Sequence, residues 1–363
     1  MRVGTVKEIK TLEFRVGLTP AAVGELVQRG HEVFVEAGAG IGIGLSDEDY
    51  VTAGARVVPT ADEVFARSEM IVKVKEPQAK EIERLRPDHI LFTYLHLAAD
   101  PAQARGLTKS GAMAIAYETV TDNAGRLPLL APMSQVAGRM AAQVGADFLL
   151  KSNGGRGLLM GGVPGVAPAK VAVLGAGVAG LHATEIACGM GADVSLFDIS
   201  GDRLATAAAQ FGGAARTVYS SRKALLDFLP HADMVIGCVL VAGAATPKLV
   251  RYEDLKLMKR GTVLVDVAID QGGCFETSKP TTHSTPVFMV DGVIHYCVAN
   301  MPGAAPLTST YALTAATLPY ILRMADQGVQ AVLSSDPYVA QGLNVAHGQL
   351  IHPAVKSALG FSD

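Results

Sequence analysis

Three polar residues stand where apolar runs of the sequence give out, a fourth precedes a helix, and their chemistry is complementary. The run Met70-Ile71-Val72-Lys73-Val74-Lys75-Glu76-Pro77 reads as a strand closed by Pro77. The two-residue period puts Lys73 and Lys75 on one face, with Lys75 at the mouth. Ile90 to His96 (ILFTYLH) reads as a second strand ending in His96, and Val263 to Asp270 (VLVDVAID) as a third ending in Asp270 before Gln271-Gly272-Gly273. Arg15 lies in Glu13–Pro20 (EFRVGLTP), just ahead of a helix. Singly, each has an ordinary explanation: an edge lysine, a capping histidine, a turn-forming aspartate, a surface arginine. Together they supply a group titrating near neutrality and a carboxylate for proton transfer. They also supply an ammonium to stabilise charge on oxygen, and a guanidinium that can fork onto a carboxylate.

A second set of residues points to a nucleotide. Lys170 to Asp198 runs from an apolar strand through Gly175-Ala176-Gly177-Val178-Ala179-Gly180 into a helix and a further strand. Gly175 allows the tight turn, Gly177 lets a pyrophosphate approach the backbone, and Gly180 lets helix and strand pack closely. The free N–H groups at the helix start then face the phosphates. Asp198 follows about 20 residues on, where an acid accepts from the adenosine ribose and repels a 2′-phosphate. NAD is therefore expected over NADP, with Arg203 close enough to soften the preference. FAD uses the same fingerprint, but usually at the start of a chain, whereas here a whole domain precedes it.

Strand-like and helix-like runs alternate throughout, which predicts α/β architecture. In the first part, strands are expected near Val33–Glu36, Met70–Lys75, Ile90–His96 and Ala112–Tyr117, with helices over Ala21–Arg29 and Ala102–Lys109. A long helix is expected over Met133–Leu150. The glycines from Gly154 to Gly165 then suggest a hinge whose loop lines a cleft. A second strand series follows: Val171–Leu174, Asp193–Phe197, Met234–Val239, Val263–Val267 and Ile294–Val298. After the helix Thr308–Asp326 no third core is visible, so the tail is expected to pack back on the first domain. The second strand series predicts a doubly wound sheet.

Bulk properties agree. The 363 residues suit two domains, and 49% apolar content fills two cores. A net charge of -3 offers nothing to attract nucleic acid or an anionic membrane. No apolar stretch reaches the roughly 18 residues of a membrane span, and the N-terminus lacks a signal-peptide core. Cys188, Cys238, Cys274 and Cys297 form no Cys-x-x-Cys pair, so no zinc or redox motif is expected. A cytoplasmic protein acting on a small molecule, without a metal, is the expectation.

At this point the chain resembles the bacterial L-alanine dehydrogenases, within the superfamily shared with the transhydrogenase alpha subunits. The resemblance runs along essentially the whole chain: EFRVGLTP at 13–20, KVKEP at 73–77, LHLA at 95–98, PLLAPMS at 128–134, GGVPG at 161–165, VDVAIDQGGCF at 265–275 and YCVANMP at 296–302. It implies two Rossmann-like doubly wound domains in all, a discontinuous substrate domain (1–130 and 305–363) and an inserted NAD-binding domain (131–304). It further implies reversible oxidative deamination of L-alanine to pyruvate and ammonia with NAD, commonly in a homohexamer. It also implies that Arg15 and Lys75 bind the substrate carboxylate and that His96 and Asp270 transfer protons. Besides Gly175, Gly177, Gly180 and Asp198, it assigns Ser134, Val178, Ala179, Arg203 and Ser220 to NAD. Val239, Leu240, the backbone from Val267 through Ala268 and Ile269 to Asp270, and Val298, Ala299, Asn300 and Met301 complete that set. Two rivals are the nucleotide-binding part of a proton-pumping transhydrogenase, which would carry other residues around Leu95-His96-Leu97, and a catalytically silent NAD sensor, which would lack one of Arg15, Lys75, His96 and Asp270. A 2-hydroxy-acid dehydrogenase would need no ammonia chemistry.

Overall fold

Short apolar runs rich in Val, Ile and Ala become buried strands here, because parallel strands are covered on both faces. The computed structural model describes residues 1–239 and 246–360. In chain order the strands are β1 (Arg2–Thr5), β2 (Glu32–Glu36), β3 (Arg56–Val58), β4 (Met70–Val72), β5 (Ile90–Thr93) and β6 (Met113–Ala116). Next come β7 (Lys170–Leu174), β8 (Asp193–Asp198), β9 (Ala215–Tyr219), β10 (Met234–Gly237), β11 (Val263–Asp266), β12 (Val287–Val290) and β13 (Val293–Tyr296). The last two are β14 (Leu343–Ala346) and β15 (Gln349–Leu350).

The chain divides into two compact units, Met1–Met133 with Ala305–Asp363, and Ser134–Ala304. In the first, the strand order is β15-β14-β6-β5-β4-β1-β2-β3. β1 to β6 are parallel, and the returning tail adds β14 antiparallel to β6. In the second the order is β12-β13-β11-β10-β7-β8-β9, parallel but for the edge strand β12. Stripped of antiparallel edges, both sheets have the doubly wound order 3-2-1-4-5-6, with a switch point between the first and fourth strands. The fold class is as expected, including the discontinuous first unit.

Several expected ends move. β4 stops at Val72, β5 at Thr93 and β11 at Asp266, so Lys75, His96 and Asp270 lie on loops beyond the strands. Lys73 and Lys75 accordingly do not share a strand face: Lys73 is wholly buried, whereas the Lys75 side chain keeps some exposure. Six strands are not foreshadowed by the sequence pattern, namely β1, β3, β9, β12, β14 and β15, which are short or half-polar. Of the glycines from 154 to 165, Gly155, Gly161 and Gly162 sit where backbone packs closely inside the second unit. A Cβ on Gly155 would lie 2.1 Å from the Phe148 carbonyl oxygen, and one on Gly161 would lie 2.5 Å from that of Met190.

The helices start where local chemistry directs. Thr19 caps Pro20–Gln28, with Pro20 in the first turn. Asp100 caps Pro101–Ser110 by accepting from Ala102 and Gln103 N–H. The helix Pro306–Gln327 returns to the first unit, where Thr310 Oγ1 accepts from Val16 N–H at 3.4 Å.

Candidate active site

In the first unit the loops after β1, β4 and β5 carry the candidate substrate residues, at the switch point where open α/β sheets bind ligands. Gly17 brings the β1 loop against the end of β4: a Cβ there would lie 2.5 Å from the Val72 carbonyl oxygen. Arg15, on this loop, is 2% exposed. Its fork closes on Glu13, Nε to Oε1 and Nη2 to Oε2 both at 2.6 Å, and Nη1 faces Met133 Sδ at 3.1 Å. The two-pronged grip expected for an incoming carboxylate is therefore already made with Glu13. Burial works against the charge, but the Glu13 contacts outweigh it and hold the guanidinium above its ordinary pKa.

Lys75 lies on the loop after β4, its Nζ 3.4 Å from Glu76 Oε2. Burial would raise the Glu76 carboxyl, but Lys75 and Lys10 hold it below its usual value. His96 follows β5 in a left-handed conformation at φ 51°. Its N–H donates to Glu118 Oε1 at 2.6 Å, and Glu118 also takes the Leu95 N–H. The imidazole, half exposed, lies parallel to the Tyr94 ring at 5.8 Å between centroids, with Nδ1 4.0 Å from Glu118. Tyr94 is fixed in turn by donating to the Leu129 carbonyl at 2.6 Å, and burial pushes its phenol far above the usual range, so it stays neutral.

In the second unit the glycine turn joins β7 to the helix Val178–Gly189, at the switch point against β10. Gly175 has φ 101°, which favours glycine, and its missing Cβ would crowd Val239 at 3.1 Å. A Cβ on Gly180 would lie 1.7 Å from the Gly175 carbonyl oxygen, so only glycine fits without moving the turn. Gly177, by contrast, faces open space and lends the helix no side-chain cap. This cradle fits a dinucleotide: backbone can approach a pyrophosphate, and the first helical amides face it. Val178 is exposed, while Ala179 packs its carbonyl where Gly138 has no side chain.

Asp198, 6% exposed, accepts from Ala176 N–H at 2.7 Å and Ser200 N–H at 2.8 Å. Ser220 N–H donates to the Asp198 carbonyl, and the exposed Arg203 comes within 3.8 Å of its carboxylate. Leu240 lies outside the described residues, and Ser134 is half-buried in the helix Ala131–Phe148.

The loop after β11 is organised by Asp266, a residue that no sequence motif singles out. Its buried carboxylate gathers the amides of Ala268, Cys274 and Phe275 and the Ser278 hydroxyl. Burial nevertheless raises its pKa over those stabilising bonds. The gathered loop, Val267 to Gly273, lifts Asp270 into an exposed 3-10 turn, where its Oδ2 lies 3.4 Å from Asn300 N. Asn300 is left-handed, at φ 57°, between buried Val298 and Met301, with Ala299 half-buried. The structure thus brings Asp270 to Asn300, Val239 to Gly175, and Arg203 and Ser220 to Asp198.

Glu8, Glu13, Glu76, Glu118 and Asp266 are likewise functional neighbours that sequence reasoning does not identify. Glu13 and Glu76 leave a local signal, standing two residues before Arg15 and directly after Lys75. Among the described residues no cluster of His, Cys, Asp and Glu could hold a metal, and no helix is long and apolar enough to cross a membrane.

Comparison with known proteins matches residues 4–137 to the alanine dehydrogenase/PNT N-terminal domain and residues 141–353 to the alanine dehydrogenase/PNT C-terminal domain. The chain is 55% identical over 361 residues to the alanine dehydrogenase of Halomonas elongata, covering 99% of this chain and 97% of that one. It is 49% identical to that of Bacillus subtilis, covering 99% and 95%. A solved L-alanine dehydrogenase superposes with a TM-score of 0.96 at 50% identity over 99% of both chains. A transhydrogenase from Sinorhizobium meliloti gives 0.84 at 26% identity, over 97% of this chain and 100% of that one. The chain belongs to the alanine dehydrogenase/PNT family.

Proposed function

We propose that the chain catalyses the reversible, NAD-dependent oxidative deamination of L-alanine to pyruvate and ammonia. The observation that carries this reading is the 55% identity, over nearly all of both chains, to relatives named alanine dehydrogenase, against 26% to a transhydrogenase. The residues supply what the reaction needs. The substrate domain is the first unit and the NAD-binding domain the second. Gly175, Gly177 and Gly180 would hold the pyrophosphate and Asp198 the ribose. NAD+, when bound, would supply the acceptor for the hydride on the alanine α-carbon.

This chain's own residues do the rest. Lys75 and Arg15 hold the substrate carboxylate, and Glu13 holds the Arg15 guanidinium in place. His96 moves the proton when water adds to the substrate imine and ammonia departs. The Lys75 ammonium stabilises charge on the reacting oxygen. Asp270 is the second proton-transfer group. The protein is cytoplasmic, homohexameric, and needs neither metal nor nucleic acid.

The test is NADH formation by purified protein with L-alanine, serine, glycine and lactate in parallel. Alanine should support turnover best. Absence of NADH with alanine, alongside demonstrated NAD binding, would overturn the reading.

A further inference from the structure

Beneath the Lys75 loop lies a charged cluster that the chemistry above does not use. Lys73 is wholly buried, with Nζ 3.0 Å from Glu8 Oε2 and 2.6 Å from Glu81 Oε1. Glu8, only 7% exposed, turns its other oxygen to the backbone: Oε1 accepts from Val74 N–H at 2.7 Å and from Lys75 N–H at 3.2 Å. Those amides need a partner from outside the sheet, because β4 ends at Val72. Two further bonds pin the same stretch: Thr93 Oγ1 donates to the Lys75 carbonyl at 2.9 Å and the Tyr117 hydroxyl to that of Lys73 at 3.0 Å. Glu8 also lines a hollow of about 160 Å³ whose wall includes Glu13 and Arg15.

Burying a lysine and two carboxylates is costly, and each charge is retained only if well paired. The arrangement has a consequence for substrate binding. A lysine side chain carries large rotamer freedom, and ordering it on binding costs affinity. Fixing its backbone leaves only the side chain to order.

We infer that Glu8, balanced by Lys73, is a positioning residue for substrate: it clamps the Val74 and Lys75 amides so that Lys75 meets the substrate carboxylate from a fixed backbone. The inference rests on the alanine dehydrogenase reading for its substrate, though the clamp itself can be measured apart from turnover.

The test uses the full chain with Glu8→Ala and Glu8→Gln. Glu8→Ala removes the acceptor for both amides. It should raise KM for alanine and for pyruvate about tenfold, as expected for losing hydrogen bonds to a charged group. kcat should fall by less than KM rises, because Lys75 also stabilises charge on the reacting oxygen, and KM for NAD+ and NADH should stay within about twofold. Glu8→Gln keeps one acceptor oxygen but turns its amide toward Lys73, so it should show a smaller rise of about threefold. If Glu8→Ala does not fold, Glu8→Gln alone decides the question. Hydrogen exchange should quicken at Val74 and Lys75 in both variants while the amides of β4 keep their protection.

Unchanged KM for alanine with unchanged exchange at Val74 and Lys75 would overturn the inference. So would a parallel change of kcat and of every KM, which marks general damage. If wild-type protein makes no NADH from alanine, the functional reading fails, and amide exchange still decides whether Glu8 clamps the loop.

Discussion

The two units have the same strand order and place their candidate residues at the same switch point, yet they build opposite kinds of site. The first is built from charge: Arg15 on Glu13, and Lys73 between Glu8 and Glu81, all buried. The second is built from backbone: Gly175, Gly177 and Gly180 work by what they lack, and its ion pair, Arg203 with Asp198, is exposed on the arginine side. The difference fits the ligands proposed. A small amino acid offers few atoms, so recognition depends on fixed, poorly screened charges. A dinucleotide offers a long pyrophosphate that many N–H groups can share.

If charge chemistry is concentrated in the first unit, a substitution at His96 should have the largest effect. Asparagine is the informative replacement, because it tolerates the left-handed backbone that His96 adopts at φ 51°. His96→Asn should lower kcat by about 10²–10⁴-fold, the usual contribution of a general acid or base. NAD affinity and melting temperature should stay near wild type, since the side chain is half exposed. Near-normal kcat would remove His96 from the mechanism and weaken the contrast between the units.

The next effect tests the buried pair directly. Glu13→Gln keeps one acceptor for Arg15 but discards the counter-charge. It should destabilise the fold by about 2 kcal/mol, as for a lost buried hydrogen bond to a charged group, read by chemical denaturation. KM for alanine should rise while KM for NAD+ holds. Equal rises in both would mean that the two sites are not energetically separate.

The same contrast explains which parts are legible in the sequence. The glycine turn is readable because its constraint is local: turn, approach and close packing all fall within six consecutive residues, and Asp198 follows on the next strand. Arg15, Lys75 and His96 are readable as candidates, but their settings are not. Glu8 meets Lys73 across 65 residues of sequence, and Glu118 meets His96 across 22. No spacing rule connects residues that only the sheet order brings together. The strand ends are misplaced for a related reason. Val74, Leu95 and Ile269 continue the apolar pattern past the last strand residues, because they stay buried in the loops. β3 and β9, at sheet edges with exposed arginines, carry too weak a pattern to register.

Arg203→Ala should have the smallest effect and sharpens the comparison most. Arg203 and Asp198 repeat the partners of Arg15 and Glu13, an arginine and an acid, but at 3.8 Å and with the arginine side chain 63% exposed. Solvent screens such a pair, and ordering a long side chain offsets much of the gain, so exposed pairs contribute from nothing to about 1 kcal/mol. Asp198 keeps its bonds to the Ala176 and Ser200 amides without it. Melting temperature should therefore not move, and KM for NAD+ should rise no more than about threefold, the equivalent of under 1 kcal/mol. The substitution should act instead on cofactor choice. Arg203 is the nearby cation that could tolerate a 2′-phosphate beside Asp198, so any turnover with NADP+ should fall further than turnover with NAD+. A destabilisation as large as that of Glu13→Gln would show that the second unit relies on side-chain charge as heavily as the first.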